Sequence, residues 1–235
     1  MPYITELHTH TMETSPCATM RASMIAERYI DAGYTSIVVT DHYCNYVIDS
    51  MEGTWQEKVD RYLLGYRSMK EYAKGRLNVL LGCELRFTEN LNDYLVYGMD
   101  EAFLLAHPNL HQMTLKTFSA FAREHGLLLI QAHPFRDKMT VVDPKYLDGI
   151  EIYNGHNDHD SRNPIADAWA KRHGLLRSSG SDFHHASSEC AGGIITEMPI
   201  TSIWQMISVL RNGSCMLKRT GSVAKREDVW NTPAK

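Results

Sequence analysis

The chain of 235 residues is 43% hydrophobic and 22% charged, the profile of a globular protein with enough apolar material for one sizeable core. Lys and Arg total 24 against 28 Asp and Glu, and the formal charge of -4 excludes broad, sequence-blind binding of nucleic acid while leaving room for a local basic pocket. The five scattered cysteines form no CxxC pair, the opening MPYITELH has no signal-peptide character and no run is long enough to span a bilayer, so a reduced, cytoplasmic protein without a membrane partner is expected.

In chain order, short β-rich runs alternate with stretches of helical period, which predicts βα units around a mostly parallel sheet. Residues 3–8 (YITELH) make the first strand, 20–34 an amphipathic helix that stops near Gly33, and 36–42 (SIVVTDH) the second strand. Residues 55–74 carry Val59, Leu63, Tyr66 and Met69 near helical spacing. Strands follow at 78–87 (NVLLGCELRF) and 93–98 (DYLVYG), then a helix at 115–125 that ends at Gly126. Further strands fall at 127–134, 149–154, 175–182 and 192–196, and further helices at 165–173 and 200–210. One domain over residues 1–219 and a polar, aperiodic tail over 220–235 are expected.

The 12 histidines stand out, because several sit beside Asp, Pro or another His at the ends of these strands. His8 and His10 end the first strand, Asp41 and His42 the second, Glu84 and Arg86 the third. Asp93 opens the fourth, and His133, Asn154, Asp182 and His184 end later ones. In a closed or nearly closed βα barrel those ends share one rim, where such folds build their sites. Residues i and i+2 of a strand point the same way, so His8 and His10 can hold one ion together. Glu84 can bridge two ions and Asp182 can complete the first site. Donors of this kind without sulfur suit Zn, Mn or Fe and do not choose among them. Arg86 and Arg136 lie close enough in sequence to proposed ligands to meet an anion on the metals, and guanidinium offers phosphate paired donors. Asn154 and His156, with His159 in the same loop NGHNDHDSRN, are candidate substrate contacts. Asp41 reads as a residue that holds the His42 ring or caps the following turn. His107, His111, His125 and His173 read as surface residues, and Cys83 as packing.

HTHT, VVTDH, GCELRF, QAHPFR and GSDFH, in this order, resemble the motifs of the PHP (polymerase and histidinol phosphatase) family over roughly residues 3–193. The joint occurrence carries the resemblance, which HxH alone would not. It implies a distorted (β/α)7 TIM-like barrel with two or three divalent metal ions at the C-terminal rim of its strands. Residue by residue, it implies a first metal on His8, His10, Glu84 and Asp182, a second on Glu84 and His133, and a third on His42 and His184. The chain departs from the family pattern twice. Members often carry a His or Asp soon after HxH, where this chain reads TMETSPCA; Glu13 or Cys17 substitutes there, or the third site is weak. A histidine expected near the fourth strand is missing, and Asp93 is its replacement.

These readings lead to a metal-dependent phosphoesterase acting on a phosphorylated small molecule or a nucleotide through a metal-activated water. Glu84 and Asp182 would organise the metals and His184 or another rim residue would protonate the leaving oxygen. An amidohydrolase-type hydrolase or deaminase is the alternative enzyme, and a non-catalytic binder of metal or a phosphorylated ligand is the alternative outside catalysis. Tyr43, Phe87, Phe135, Tyr153 and Phe183 flank the proposed ligands and serve either stacking or packing. Oligomeric state is not legible in the sequence.

Overall fold

The computed structural model describes residues 2–219, and the tail expected at 220–235 lies outside them. The chain opens with β1 (Tyr3–Glu6) and crosses through α1 (Ala22–Asp31) to β2 (Ser36–Val39). The run SIVVTDH does not continue as one strand: it breaks after Val39 and resumes as the short β3 (His42–Tyr43), followed by one turn of helix, α2 (Asn45–Ile48). The helical stretch expected at 55–74 is two helices, α3 (Trp55–Tyr62) and α4 (Leu64–Ala73). Thr54 starts α3 with a reciprocal capping box to Glu57. The break at Leu63 has a packing reason. Gly65 in the first turn of α4 presses against the loop after β1, where an added Cβ would lie 1.9 Å from Thr11 Oγ1 and 2.7 Å from Asp41 Oδ2.

The long strand β4 (Asn78–Arg86) turns back into β5 (Asp93–Tyr97), and α5 (Glu101–Ala106), which the hydrophobic period does not reveal, leads towards α6 (Leu115–Glu124). Then come β6 (Leu128–Gln131), β7 (Gly149–Asn154), α7 (Asn163–His173), β8 (Leu176–Gly180), β9 (Ile194–Thr196), α8 (Ile203–Asn212) and β10 (Met216–Leu217).

Parallel pairing joins β1 to β2, β2 to β4, β6 to β7 and β7 to β8. Strand β5 runs against both of its neighbours, with Arg86 opposite Asp93 on one side and Tyr94 opposite Gln131 on the other. The two ends of this series meet where Thr9 bridges Phe183 in parallel register and His10 N donates to Phe183 O at 3.0 Å. Seven strands therefore make a nearly closed barrel, distorted by the one reversed strand. Strands β9 and β10 extend the sheet antiparallel beyond β1. The reversal has a functional consequence, since it brings the first residue of β5, Asp93, to the same rim as the last residue of β4, Arg86.

Leu7, Val38, Leu95, Ile130, Ile150 and Ile152 are buried in the main apolar core, while Ile25, Tyr29, Ile37 and Met69 belong to a second cluster between α1, α4 and the sheet. Among the histidines expected at the surface, His111 is instead fully buried, with Nε2 3.0 Å from Asp49 Oδ1 and its ring 5.7 Å from that of Tyr43. Burial pulls His111 below its ordinary value of 6.5, and the Asp49 carboxylate only partly compensates. Below about pH 6.5 the unfolded chain therefore binds a proton that the folded chain resists, so this residue costs stability as pH falls through that window. In chelator, the denaturant midpoint of His111→Gln should fall less between pH 7 and 5 than that of the wild type; parallel slopes would remove His111 from the account.

Candidate metal centre

The rim is assembled by a buried carboxylate that does not itself face it. Glu6, the last residue of β1, accepts from Leu7 N at 2.9 Å, His8 N at 3.0 Å and Tyr29 Oη at 3.0 Å, and its Oε1 accepts from Ser181 N at 2.9 Å. It thus ties the end of β1 to the end of β8, so that His8 and His10 face Asp182 across the barrel seam. Asp182 has φ +50° and His133 φ +26°, left-handed conformations that side chains other than glycine seldom adopt. Such strain persists where the surroundings over-determine it, and both residues point ligand atoms at the same cluster.

The cluster is dense. His8 Nε2 lies 3.0 Å from His10 Nε2, 3.3 Å from Glu84 Oε1 and 3.3 Å from Asp182 Oδ1. His10 Nε2 lies 3.4 Å from Glu84 Oε2 and 3.3 Å from Asp182 Oδ1. Glu84 also meets His42 Nδ1 at 2.8 Å and His133 Nε2 at 3.1 Å, so each of its oxygens serves a different pair of imidazoles. All of these side chains are buried.

The far nitrogens of the rings decide what the near ones can be. His8 Nδ1 is 3.0 Å from Glu151 Oε1, and a carboxylate can only accept, so Nδ1 carries the proton and Nε2 presents a lone pair. His184 Nδ1 is 2.9 Å from the Asp182 carbonyl, which likewise frees its Nε2. His10 Nδ1 lies 3.3 Å from Ser15 Oγ, whose own hydrogen goes to Asp41 Oδ1 at 2.6 Å. Lone pairs of His8, His10, Glu84 and Asp182 therefore converge on one volume, and Asp182 Oδ1 is a buried oxygen without a hydrogen-bond partner. A shared divalent cation satisfies that arrangement and a hydrogen bond between the two Nε2 atoms does not. The residues fit a metal.

The carboxylates here attract positive charge, which a proton on His8 balances where no cation does. Burial opposes ionisation of Glu84, but His42 and His8 outweigh it and hold the carboxyl well below its ordinary range. Burial acts against a charged His8, yet Asp182, Glu151 and Glu84 raise it well above an ordinary imidazole. His10 moves the opposite way, pushed well down by burial and then by His184 and His42.

The family model described as PHP domain matches residues 6–198. The chain belongs to the PHP domain family. No curated protein matches the sequence significantly. Among solved structures, a two-domain protein from Bacteroides vulgatus, described as "containing predicted PHP-like metal-dependent phosphoesterase", superposes with a TM-score of 0.67 at 16% identity. The alignment covers 94% of this chain and 65% of that one, so the PHP chain spans about two thirds of that protein's length. PsfC from Pseudomonas syringae gives 0.62 at 18% identity over 94% of this chain and 92% of that one. An amidohydrolase from Chromobacterium violaceum, with bound SO4 and no metal, gives 0.53 at 16% identity over 92% and 97%. At these identities the likeness is one of fold.

Several residues expected at this PHP centre do something else. Glu13 is apart from the cluster: both of its oxygens accept from Ala22 N, at 3.1 and 3.0 Å, which caps the first turn of α1. Asp41 does not hold the His42 ring; it accepts from Thr11 N at 2.7 Å, Thr11 Oγ1 at 2.7 Å and Ser15 Oγ at 2.6 Å, and so pins the loop after HxH. Asn154 is not turned to substrate. Its amide donates to Glu151 Oε2 at 2.9 Å and Asp182 Oδ2 at 3.0 Å, while its oxygen accepts from His156 N and Ser161 Oγ, both at 3.1 Å. Asp93, by contrast, stays with the centre: one of its oxygens lies within 4.8 Å of ligand atoms of His42 and Glu84 and one is 3.7 Å from His133 Nε2, while the carboxylate also accepts from Arg86 Nε at 2.7 Å, Arg86 Nη2 at 2.8 Å and Arg136 Nη2 at 3.3 Å. His156 lies over the rim with its ring 4.9 Å from that of His184 and stacked on His159 at 4.4 Å.

Glu151 escaped the sequence reading, although a lone acid between the isoleucines of GIEIYN on a fully buried strand is a usable signal. Besides His8 it holds His133 N through Oε2 at 3.0 Å. Gly180 of β8 makes the room: an added Cβ would lie 2.4 Å from His8 Cβ and 2.6 Å from Glu151 Oε1. Glu151→Gln can donate to His8 Nδ1 and so turn its Nε2 from acceptor to donor. Metal affinity should fall about 10- to 100-fold with the fold intact, measured by competition with a chromogenic chelator. Unchanged affinity would make Glu151 a packing residue.

Proposed function

We propose that this PHP chain hydrolyses phosphate esters, either a phosphomonoester or a nucleotide phosphodiester. One observation carries the reading: a cluster of lone pairs suited to divalent cations adjoins two guanidiniums that share a single carboxylate, Asp93. When bound, the cations supply Lewis-acid polarisation of a phosphoryl oxygen and a lowered pKa for the attacking water. His8, His10, Glu84 and Asp182 would hold one, His42 and His184 would contribute to another, and Glu84 with His133 offers a third place.

The chain's own groups do the rest. Arg86 and Arg136 carry two positive charges against the one of Asp93, so a net positive charge faces a phosphoryl group and the charge that develops on it. Both side chains keep about a fifth to a quarter of their surface open, at 21% and 24%. His184 is a poor proton donor here, because its Nδ1 proton is engaged by a carbonyl and its Nε2 faces the cluster. His156 can instead hydrogen-bond the leaving oxygen as a neutral ring: its Nδ1 accepts from Asp158 N at 3.1 Å, which leaves the proton on Nε2, and burial holds it below an ordinary imidazole, so the proton itself must come from water. Tyr46, 44% exposed with the Arg86 guanidinium 5.7 Å over its ring, offers a lip for the alcohol portion of the ester.

The test is release of phosphate or alcohol from a panel of monoesters, diesters and amides by protein loaded with Mn or Zn. Turnover of an ester that chelator removes is the expected result. Metal fully bound with no ester cleaved would overturn the reading, and cleavage of an amide alone would replace it with an amidohydrolase.

A further inference from the structure

Cys17 has no place in the set above, and the loop that carries it is built with some care. Ser15-Pro16-Cys17-Ala18 forms a β-turn closed by Ala18 N to Ser15 O at 3.0 Å, with proline at the position whose φ it pre-sets and Cys17 next to it. The upstream side of the turn is fixed at the centre, because Ser15 Oγ accepts from His42 N at 3.0 Å and lies 3.3 Å from His10 Nδ1. The downstream side is fixed on the opposite wall, where Thr19 N donates to His184 O at 2.9 Å. The tip of the turn thus lies between His42 and His184, and the Cys17 thiol interacts with both imidazoles.

Three buried ligand atoms already meet there, one each from His10, His42 and His184, all within 4.8 Å of one another. His42 Nδ1 is buried and, although 2.8 Å from Glu84 Oε2, makes no hydrogen bond. His10 Nε2 already serves the His8 position, so His42 and His184 bring two nitrogens and Glu84 a bridging carboxylate, one donor short of a four-coordinate shell. Glu13, the other candidate to fill it, is committed to the start of α1.

We propose that the Cys17 thiolate is a ligand of the cation held by His42 and His184, which gives this PHP centre one sulfur-bearing position. The inference rests on the metal-centre reading above. On binding, the S–H bond breaks, its electron pair goes to the cation and one proton is released to solvent. Sulfur makes this position softer than one of nitrogen and oxygen alone, so it favours Zn, Co or Fe over Mn or Mg, whereas the His8–His10 position keeps only nitrogen and oxygen donors. The two places would then load with different metals from a mixture.

Cobalt(II) chloride added to the metal-free protein tests this directly, because a thiolate on cobalt gives a near-ultraviolet charge-transfer band that nitrogen and oxygen donors do not. The wild type should show the band together with bound cobalt. Cys17→Ser should lose the band and bind cobalt at this position at least about 10- to 100-fold more weakly, while Cys17→Asp keeps the cobalt without the band. Cys17 is exposed, so neither change threatens folding. Bound cobalt without the band in the wild type, or a band that survives in Cys17→Ser, overturns the proposal and leaves the metal centre standing. A wild type that binds no cobalt overturns both.

Discussion

Asp182→Asn should abolish metal-dependent ester cleavage, with kcat/KM lower by three or more orders of magnitude. That corresponds to about 4 kcal/mol or more of lost transition-state stabilisation. Asparagine is chosen over alanine because the residue sits at φ +50°, a conformation that asparagine tolerates and alanine resists. The substitution keeps shape and backbone while it removes the charge that His8 and His10 share through Oδ1 at 3.3 Å. Burial disfavours the ionised carboxyl, but His8 and His184 hold it well below its ordinary range, so in the wild type it is an acceptor at neutral pH. Metal content by mass spectrometry should fall with activity. Activity at one tenth of wild type or better, with metal still bound, would exclude Asp182 from the centre.

Much of this was readable from strand ends. Histidines and carboxylates after apolar runs imply a shared rim once the runs are seen to belong to one barrel, and the alternation of β and helical period supplies the barrel. What the pattern could not carry is contact between residues far apart in the chain. The hydrogen bond from Asn154 to Asp182 and the capture of Asp93 by Arg86 and Arg136 depend on which strands neighbour each other and in which direction. Strand β5 reads by period as one more member of a parallel series, yet its reversal is what sets Asp93 beside Arg86. The separation of Glu13 from Cys17 is of the same kind. Four residues apart in one polar loop, they differ only because the Ser15–Ala18 turn directs one to α1 and the other to His42 and His184.

Arg86→Met should lower kcat/KM about 100-fold, mostly through KM, while the metal content stays at the wild-type level or rises. The guanidinium spends one N–H of Nε and one of Nη2 on Asp93, which leaves three of its five, two on Nη1 and one on Nη2, to serve an anion. Hydrogen bonds between charged groups contribute about 1.5–3 kcal/mol each, so the loss of one or two to a phosphoryl group accounts for the expected factor. The metal content discriminates between roles for Asp93. With Arg86 gone, Asp93 Oδ1 loses its donor while Arg136 still holds Oδ2, and the carboxylate becomes available to a cation beside His42 and Glu84, whose ligand atoms lie within 4.8 Å of one of its oxygens. A gain of metal in Arg86→Met would mean that the arginine pair and a further cation compete for the same carboxylate. Equal metal content with the expected rise in KM would assign the arginines to substrate alone. If KM and kcat both stay at wild-type values, Arg86 and Asp93 are a structural ion pair and the phosphate contact must be sought elsewhere on the rim.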